Sequence, residues 1–487
     1  MKKKILIYAI SSVLALTSAF ALASCNTDNP ESSSSETEEC KHTWQSEYTF
    51  DETYHWITCA ECEEIKDKTQ HTENENGVCT ACKQYFPTEG ILYDISTDST
   101  YAAVSGYEGT ATKIKIADTY NGLPVKTIYN YAFQGKPIVS VNIPDSVTQI
   151  DTFAFNGCNS LTSITANNNP AYQSIDGNLY TKDGKTLLQY AIGKTADSFI
   201  IPDNVIYIGD HAFEDCSNLI SVTMGDSVTS IGEDAFNNCS SLTIVILGDN
   251  ITSIGHYTFF GCSSLRFTTY ENTKYLGNNN HPYLVLIGVT NTGLSSYTIH
   301  ENTKIIAPSA FKDCRRIANI VIPESVTSIG GYAFSDCLGL TSVTIGNSVT
   351  FIGDGVFRNC KDLTSIAIPN GVTSIGNYAF YGCNNLTSAT LGDGVTSIGN
   401  YAFSGCGNLT IVTMGNGVTS IGNYAFYNCR RLTSIVIPDS VTSIGMFAFS
   451  GCRSLTIYCE AESQPEGWDA SWNPDHCPVE WGYKTEE

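Results

Sequence analysis

The chain has 487 residues, 19 cysteines and a formal net charge of −23. This acidic balance argues against binding to nucleic acid or, through charge, to anionic lipid, because both need a basic surface. No nucleophile-elbow, P-loop, His-Glu-x-x-His or dinucleotide motif is present, and none of the eight histidines has a recognisable nucleophile partner, so we expect no enzymatic activity.

The N-terminus is typical of a targeting segment. Lysines at positions 2–4 precede an apolar stretch from Ile5, which ends in Leu-Ala-Ser-Cys at positions 22–25. This ending resembles the lipobox of bacterial lipoproteins. The resemblance implies that residues 1–24 are removed as a signal peptide and that Cys25 carries a lipid anchor. A plain secretory signal or a single spanning helix are the alternatives.

Residues 25–39 are rich in serine and acidic residues and have no apolar pattern. Such a composition predicts a flexible tether that holds the folded part away from the membrane. We expect the lipid to be the only contact with the membrane, which places the protein outside the cytoplasm at the cell surface.

Residues 40–86 predict a small zinc-ribbon-like module. Two Cys-x2-Cys pairs, Cys59/Cys62 and Cys79/Cys82, have 16 residues between them, and this spacing suits one structural Zn²⁺ in tetrahedral coordination. His42, His55 and His71 are further candidate ligands. Two disulfides are the alternative, because the expected compartment is oxidising. A catalytic zinc would need an open position and a general base, and the sequence identifies neither.

The rest of the chain is dominated by a repeat of 23 residues. Cysteines recur at this step in two runs: Cys216, Cys239, Cys262 and Cys314, Cys337, Cys360, Cys383, Cys406, Cys429, Cys452. A period of this length predicts a solenoid of the leucine-rich-repeat type, in which one short unit is copied and stacked. We assign the solenoid to residues 91–457 and predict about twelve coils.

Each unit predicts two short parallel strands and a helical or 3₁₀ turn. In the last unit, Leu432 to Ile437 alternates as a strand does, Pro438 opens a turn, Val441 to Ile444 is a second strand, and Met446 to Cys452 forms the helical turn. Stacked units bury a column of apolar residues that includes the cysteines. We expect reduced thiols, since a parallel ladder would hold Cβ atoms about 4.8 Å apart, beyond the usual disulfide range. Disulfides between coils are the alternative.

Two insertions, near residues 166–200 and 268–300, lengthen the repeat. The first has the turn residues Asp176-Gly177-Asn178 and Asp183-Gly184 and predicts a hairpin. Because they break the regular surface, both insertions are candidate binding features.

Residues 458–487 predict a C-terminal cap. Trp468, Trp472 and Trp481 supply aromatic mass that can seal the open end of the apolar column, although a ligand platform is the alternative. Cys459 and Cys477 lie outside the 23-residue register, and a disulfide between them could staple this irregular segment.

Two surface features are candidate binding sites. One is a stripe of tyrosines at equivalent positions, Tyr332, Tyr378, Tyr401 and Tyr424, which would offer contact area at low entropic cost. The other is a Ser/Thr-rich strand face that includes Ser342, Thr344, Ser388, Thr390, Thr413 and Ser434. Duplication of a stable unit with β-formers facing outward would explain either feature without a ligand.

The repeated Ile-Pro-x-Ser-Val-Thr-Ser-Ile-Gly-x-x-Ala-Phe-x-x-Cys pattern resembles the BspA-type leucine-rich repeat family of bacterial cell-surface proteins, over about residues 91–483. The resemblance implies a lipid-anchored surface protein whose solenoid binds an extracellular protein or glycan on host or other cells. A structural spacer with no ligand, or a receptor that captures glycan or peptide for uptake, are the alternatives.

Overall fold

The structure is a computed structural model that describes residues 43–50, 54–60, 64–72, 81 and 87–484. These residues form two units, which divide after Gln70. All the regular elements in the described residues are β-strands. Within these residues there is no helix long and apolar enough to cross a membrane. The predicted signal peptide, the lipidation site Cys25 and the tether lie outside the described residues.

The small unit is a three-stranded antiparallel sheet. Its strands are β1 (Thr49–Phe50), β2 (Tyr54–Thr58) and β3 (Ile65–Gln70), in the order β1-β2-β3. An isolated bridge joins Trp44 to Cys59 just after β2, and Cys59 is buried. Of the predicted zinc ligands, Cys62, Cys79, Cys82 and His42 lie outside the described residues.

The large unit begins with eight strands: β4 (Ile91–Ile95), β5 (Ala102–Tyr107), β6 (Lys113–Lys115), β7 (Thr119–Tyr120), β8 (Leu123–Ile128), β9 (Ser140–Asn142), β10 (Gln149–Ile150) and β11 (Ser163–Thr165). The first insertion and the coils after it hold β12 (Tyr172–Ile175), β13 (Asn178–Thr181), β14 (Thr186–Gln189), β15 (Ser198–Ile200), β16 (Tyr207–Ile208), β17 (Ser221–Thr223), β18 (Ser230–Ile231), β19 (Ile244–Ile246) and β20 (Ser253–Ile254).

The second insertion and the long regular stretch follow, with β21 (Thr268–Tyr270), β22 (Thr273–Leu276), β23 (Val285–Val289), β24 (Ile305–Ile306), β25 (Asn319–Ile322), β26 (Ser328–Ile329), β27 (Ser342–Ile345), β28 (Phe351–Ile352), β29 (Ser365–Ile368), β30 (Ser374–Ile375), β31 (Ser388–Leu391), β32 (Ser397–Ile398), β33 (Ile411–Thr413), β34 (Ser420–Ile421), β35 (Ser434–Ile437) and β36 (Ser443–Ile444). The chain ends with β37 (Thr456–Cys459) and β38 (Val479–Trp481).

Equivalent strands of successive coils pair in parallel, as the repeat predicts. The second strand of each coil forms the longer ladder, a ten-stranded sheet whose order is β21-β22-β23-β24-β26-β28-β30-β32-β34-β36. In its regular part Ser374 pairs with Ser397, and Ile375 with Ile398. The isoleucines face the core. Beside the strands a threonine ladder ties coil to coil, since Thr396 Oγ1 donates to Thr373 O at 2.9 Å.

The turns after the second strand are not helical, which corrects the prediction. Two residues in each turn adopt left-handed backbone angles, for example Tyr378 (φ 57°) and Gly382 (φ 71°), and such angles interrupt a helix. Alternate N–H groups then point toward the next coil. The N–H groups of Tyr378, Phe380 and Gly382 donate to the carbonyls of Asn400, Ala402 and Ser404 at 2.7–2.9 Å. The turns therefore form a further ladder of hydrogen bonds between coils.

The number of coils also exceeds the prediction, with about 17 turns of the solenoid instead of about twelve. The additional coils lack the Ala-Phe-x-x-Cys pattern on which the prediction rested. Both insertions contribute strands to the ladder, because β14 pairs in parallel with β16 and β23 with β24. The hairpin predicted in the first insertion is β12–β13, and it turns at Asp176 and Gly177.

Columns of identical side chains fill the interior. The phenylalanine column consists of Phe311, Phe334, Phe357, Phe380, Phe403, Phe426 and Phe449, whose ring centroids are 4.8–5.5 Å apart. The cysteines that follow these phenylalanines form a parallel column of buried free thiols. From Cys337 onward, each thiol donates to a carbonyl of the coil before it, as Cys406 Sγ does to Phe380 O at 3.2 Å. The cysteines therefore act as small core residues with one hydrogen bond.

Burial should make these thiols unreactive in the folded protein. It raises the pKa of Cys383 to about 12, so that at pH 8 about one molecule in 10⁴ carries the thiolate there. We expect Cys383 and Cys406 to resist iodoacetamide at pH 8 until the protein is unfolded. Mass spectrometry of alkylated peptides measures this, and rapid labelling of Cys383 in the native protein would contradict the buried column.

The C-terminal segment covers the end of the solenoid. Trp468 and Trp472 are buried, the Trp472 ring lies 5.8 Å from Phe449, and Trp468 Nε1 donates to Val441 O at 3.1 Å. The Cys459–Cys477 disulfide is not formed. Both thiols are free and buried, and Cys477 Sγ donates to Cys452 O at 3.2 Å, which makes it the next member of the cysteine column.

Candidate binding surface

The predicted tyrosines occupy a strained backbone position. Tyr332, Tyr378, Tyr401 and Tyr424 stand at the first left-handed site of their turns, with φ between 55° and 57°. A residue with a Cβ held at such an angle costs about 1–3 kcal/mol, and glycine, asparagine or aspartate fills it more easily. Gly355 and Asp234 do occupy it in other coils. The backbone therefore does not favour tyrosine here, and contacts of the side chain must offset the strain.

Three of the four tyrosines form one continuous stack. The Tyr378 and Tyr401 ring centroids are 5.0 Å apart and the rings are nearly parallel at 4°, and Tyr401 and Tyr424 are 4.7 Å apart at 5°. Phe447 extends the row at 5.3 Å from Tyr424. We call Tyr378, Tyr401, Tyr424 and Phe447 the tyrosine stack. Phe447 was not predicted, although its place 23 residues after Tyr424 marks it as equivalent.

Tyr332 is separate from the tyrosine stack. The intervening coil has Gly355 at the equivalent position, and a Cβ there would lie 2.5 Å from Tyr332 Cε1, so the Tyr332 ring rests against Gly355. Its other neighbour is His256, at 5.4 Å between ring centroids. Because Gly355 has no side chain, no ring lies between Tyr332 and Tyr378, and the tyrosine stack begins at Tyr378.

A second row of aromatic rings borders the tyrosine stack. Tyr381 lies edge-on to Tyr378 at 5.8 Å, and Tyr427 lies edge-on to Tyr424 at 5.7 Å. The Arg358 guanidinium lies over the Tyr381 ring at 5.7 Å. These residues were not predicted, although a second tyrosine three positions after the first was a signal for them. The rings together form an aromatic surface with a cation at one edge.

An asparagine ladder holds the tyrosine stack in place. The side-chain oxygen of Asn377 accepts from Asn400 N at 2.8 Å, that of Asn400 from Asn423 N at 2.7 Å, and that of Asn423 from Met446 N at 2.8 Å. Each asparagine precedes an aromatic residue of the stack. These bonds fix the turn just before the ring and so limit how far the rings can move apart.

The Tyr401 hydroxyl remains neutral at physiological pH. Burial against its neighbours, with the adjacent tyrosine hydroxyls as a smaller cause, raises the pKa of Tyr401. This hydroxyl is therefore a hydrogen-bond donor as well as an acceptor. Aromatic ring edges that carry hydroxyls suit polar ligands with apolar patches, such as sugars or protein side chains.

The Ser/Thr-rich strand face is regular and exposed. Ser342, Thr344, Thr390 and Thr413 are exposed on the first strands, and Thr390 pairs with Thr413 across β31 and β33. Their exposure follows from strand alternation, because the residues between them fill the core. This face has no aromatic row comparable with the tyrosine stack among the described first strands.

Only some of the predicted zinc ligands lie in the part of the chain that the structure describes. His55 is buried, with its Nε2 2.9 Å from Thr69 Oγ1, and Cys59 is buried nearby in the sequence. No group of three or more metal-ligating side chains occurs within the described residues. Most of the predicted ligand set lies outside them.

Comparison with known proteins identifies the repeat. A family model described as the BspA type leucine rich repeat region matches residues 126–185, 190–282, 289–409 and 350–463, which is more than half of the chain. No curated protein is significantly similar to the chain.

Several solved structures are similar to parts of the chain. A leucine-rich cell-surface protein from Faecalibacterium prausnitzii is 27% identical, with 68% of this chain and 94% of that chain covered and a TM-score of 0.32. A leucine-rich repeat protein from Bacteroides ovatus is 21% identical, with 81% and 99% covered and a TM-score of 0.29. The pneumococcal vaccine antigen PcpA is 16% identical, with 82% and 98% covered and a TM-score of 0.34.

Proposed function

The chain belongs to the BspA-type leucine-rich repeat family of cell-surface proteins, and from this we propose that its solenoid is an adhesive surface that binds an extracellular protein or glycan. The ligand contacts the tyrosine stack and the tyrosines beside it. The molecule needs no catalytic residue for this role, and its acidic charge argues against nucleic acid as the partner.

The observation that carries the proposal is the combination of strain and exposure in the tyrosine stack. Tyrosine stands at a left-handed position that costs free energy, and Tyr378 still leaves 37% of its surface exposed, whereas Tyr401 and Tyr424 are half-buried. Core stability alone would be served as well by asparagine or glycine at this position. Rigid, partly exposed aromatic rings bind with little loss of conformational entropy, which favours a recognition role.

A spacer without a ligand is the competing function. The threonine and asparagine ladders would stabilise such a spacer equally well. The two functions differ in one measurement, which is binding of the purified protein to an immobilised panel of extracellular-matrix proteins, glycans and bacterial cells. Saturable binding supports adhesion, and absence of binding across the panel supports the spacer.

We also propose that the protein is held at the membrane by lipid on Cys25. The support is the lipobox-like sequence at residues 22–25 and the polar tether that follows it. The test is metabolic labelling with a radioactive fatty acid. Label that persists after Cys25→Ala would refute the anchor.

From the sequence alone, one structural zinc is proposed for residues 40–86, held by Cys59, Cys62, Cys79 and Cys82, with His42, His55 and His71 as further candidates. The support is the spacing of the two Cys-x2-Cys pairs. Zinc would contribute to folding of this segment. Metal analysis of the purified protein should find about one zinc per chain, which is lost in Cys59→Ser. A chain free of zinc, with these cysteines oxidised, would favour disulfides.

A further inference from the structure

The second insertion leaves a gap in the turn layer of the solenoid. After β23 the chain turns away, because Thr290 N donates to Asn272 O instead of to the following coil. This coil has no Ala-Phe-x-x-Cys turn, so the turn around Phe259 and the turn around Phe311 lack the layer that would lie between them. A cavity of about 650 Å³ lies there, and we call it the insertion cavity.

One wall of the insertion cavity offers unused backbone donors. In regular turns three alternate N–H groups bond to the next coil, as those of Tyr378, Phe380 and Gly382 do. The equivalent N–H groups of Tyr257, Phe259 and Gly261 have no acceptor within the part of the chain that the structure describes. These three donors are spaced for an extended polypeptide, which presents a carbonyl at every second residue.

The opposite wall offers unused acceptors in the same register. In regular coils the carbonyls equivalent to those of Pro308, Ala310 and Lys312 accept from the preceding turn, as Asn400 O, Ala402 O and Ser404 O do. No donor in the described ranges reaches Pro308 O, Ala310 O or Lys312 O. An extended segment between the two walls would therefore find three donors on one side and three acceptors on the other.

The insertion cavity has one apolar wall, formed by aromatic residues. The stack of Phe213, Phe236 and Phe259, with centroids 4.7 and 5.6 Å apart, ends here with Phe259 half-buried. Phe260 is 64% exposed at the rim, and Cys262 is half-buried. A phenylalanine entering the cavity would continue the stack at the spacing seen elsewhere in the solenoid.

The first insertion partly closes such a gap from within. There Tyr190 N donates to Ala212 O, and the Tyr190 ring stacks on Phe213 at 5.0 Å, although Phe155 N and Gly157 N have no acceptor among the described residues. Two cavities at this insertion measure about 170 and 10 Å³. At the second insertion Tyr297 likewise packs edge-on against Phe311 at 5.6 Å, but the larger insertion cavity stays open.

Two lysines give the insertion cavity a positive rim on an acidic protein. Lys274 and Lys312 line it, and Lys274 Nζ lies over the Phe267 ring at 4.6 Å. Neither lysine makes an ion pair with another described residue. The one acidic residue of the lining, Asp313, pairs with Arg315 at 3.1 Å. Acidic side chains on an occupant would complement this rim.

We propose that the insertion cavity binds an extended, acidic segment of a partner polypeptide with a phenylalanine-like side chain, as a strand added between two coils. The segment continues the inter-coil interface that exists on both sides of the gap. Its backbone joins the two walls, its aromatic ring covers Phe259, and its acidic residues face Lys274 and Lys312. This is strand addition at an unpaired edge. The site is separate from the tyrosine stack.

The test uses the full chain and two synthetic peptides. The acidic peptide has the sequence of residues 230–241, which includes Glu233, Asp234 and Phe236, with serine in place of Cys239. The neutral peptide has the sequence of residues 397–408, with serine in place of Cys406. We expect saturable binding of the acidic peptide below about 1 mM, weaker binding of the neutral one, and slowed amide hydrogen exchange at Tyr257, Phe259 and Gly261.

Gly288→Leu blocks the insertion cavity and Gly407→Leu is its control. Gly288 lines the cavity, and a Cβ there meets only Ala310 O, at 3.9 Å, whereas a Cβ at Gly407 meets nothing within 4 Å. We expect Gly288→Leu to weaken binding at least tenfold and Gly407→Leu to leave it unchanged. Lys312→Glu, at an exposed position, should remove the preference for the acidic peptide.

Three results of the peptide experiment would overturn the proposal. The first is that the acidic peptide shows no saturable binding. The second is that Gly288→Leu, with thermal unfolding like that of wild type, binds the peptide as well as wild type does. The third is that hydrogen-exchange protection falls outside residues 257–261. If Gly288→Leu unfolds at a lower temperature than wild type, the effect of Lys312→Glu on binding and the hydrogen-exchange pattern decide whether the proposal holds. A further control omits the peptide. If the same amides become protected from exchange as the protein concentration rises, a second copy of this chain occupies the cavity, and this result would also overturn the proposal.

Discussion

Phe403→Ala should lower the free energy of unfolding by about 3–5 kcal/mol, the usual cost of removing a fully buried ring. Phe403 lies in the phenylalanine column, 5.0 Å from Phe380 and 5.3 Å from Phe426, and has no exposed surface. The variant opens a cavity between two rings, and the rigid strand ladders on either side prevent the coils from collapsing into it. Urea unfolding followed by circular dichroism measures the change.

Phe351→Ala is the matched control for Phe403→Ala. Phe351 lies on the second strand of its coil with 43% of its surface exposed, and we expect its replacement to change stability by less than about 0.5 kcal/mol. In a solenoid each coil contacts only its neighbours, so hydrogen exchange in Phe403→Ala should increase first in the coils that flank position 403. Equal destabilisation by the two variants would contradict the phenylalanine column.

Trp472→Ala should destabilise the C-terminal coils by about 3–5 kcal/mol and make the protein self-associate. Trp472 covers Phe449, the last ring of the phenylalanine column, and packs against Trp468 at 4.9 Å. Its loss exposes the apolar end of the column and the strand edge beside it, and an uncovered edge is a template for pairing with another chain. Analytical ultracentrifugation and thermal unfolding measure the two effects.

Tyr483→Ala serves as the control for Trp472→Ala within the same segment. Tyr483 is 36% exposed and contacts Tyr458 on the outer surface, away from the end of the column. We expect this variant to remain as monomeric as wild type. A Trp472→Ala protein that is equally monomeric and equally stable would show that the tryptophans do not cap the solenoid.

The coil repeat was predictable because it depends on short-range pattern. Each repeat unit shows the same local preferences: strand alternation around Ile435, a turn at Pro438 and a cysteine at the position of Cys452. Because the units repeat these preferences, the copies support one another. Coils without this pattern were not predicted. Tyr190 and Leu187 complete a coil in the first insertion although the surrounding sequence shares few residues with the repeat.

The conformation of the turns was not predictable from residue preferences. A stretch such as Asn400 to Cys406 has no helix breaker before Gly405, and tyrosine rarely adopts φ near 56°. Hydrogen bonds to the neighbouring coil select this conformation, and they exist only once the coils stack. The interruption at Gly355 and the insertion cavity likewise result from the register between coils, which no single unit contains.

The tyrosine stack, in our proposal, is the recognition surface of the protein. The direct test replaces Tyr378, Tyr401 and Tyr424 by asparagine in one triple variant, because asparagine tolerates the left-handed backbone, and measures binding to the immobilised panel of extracellular proteins, glycans and cells. We predict that the wild-type protein binds saturably and that the triple variant, folded to the same extent, binds at least tenfold more weakly. Unchanged binding by the triple variant, or no binding by the wild type to any member of the panel, would contradict the claim.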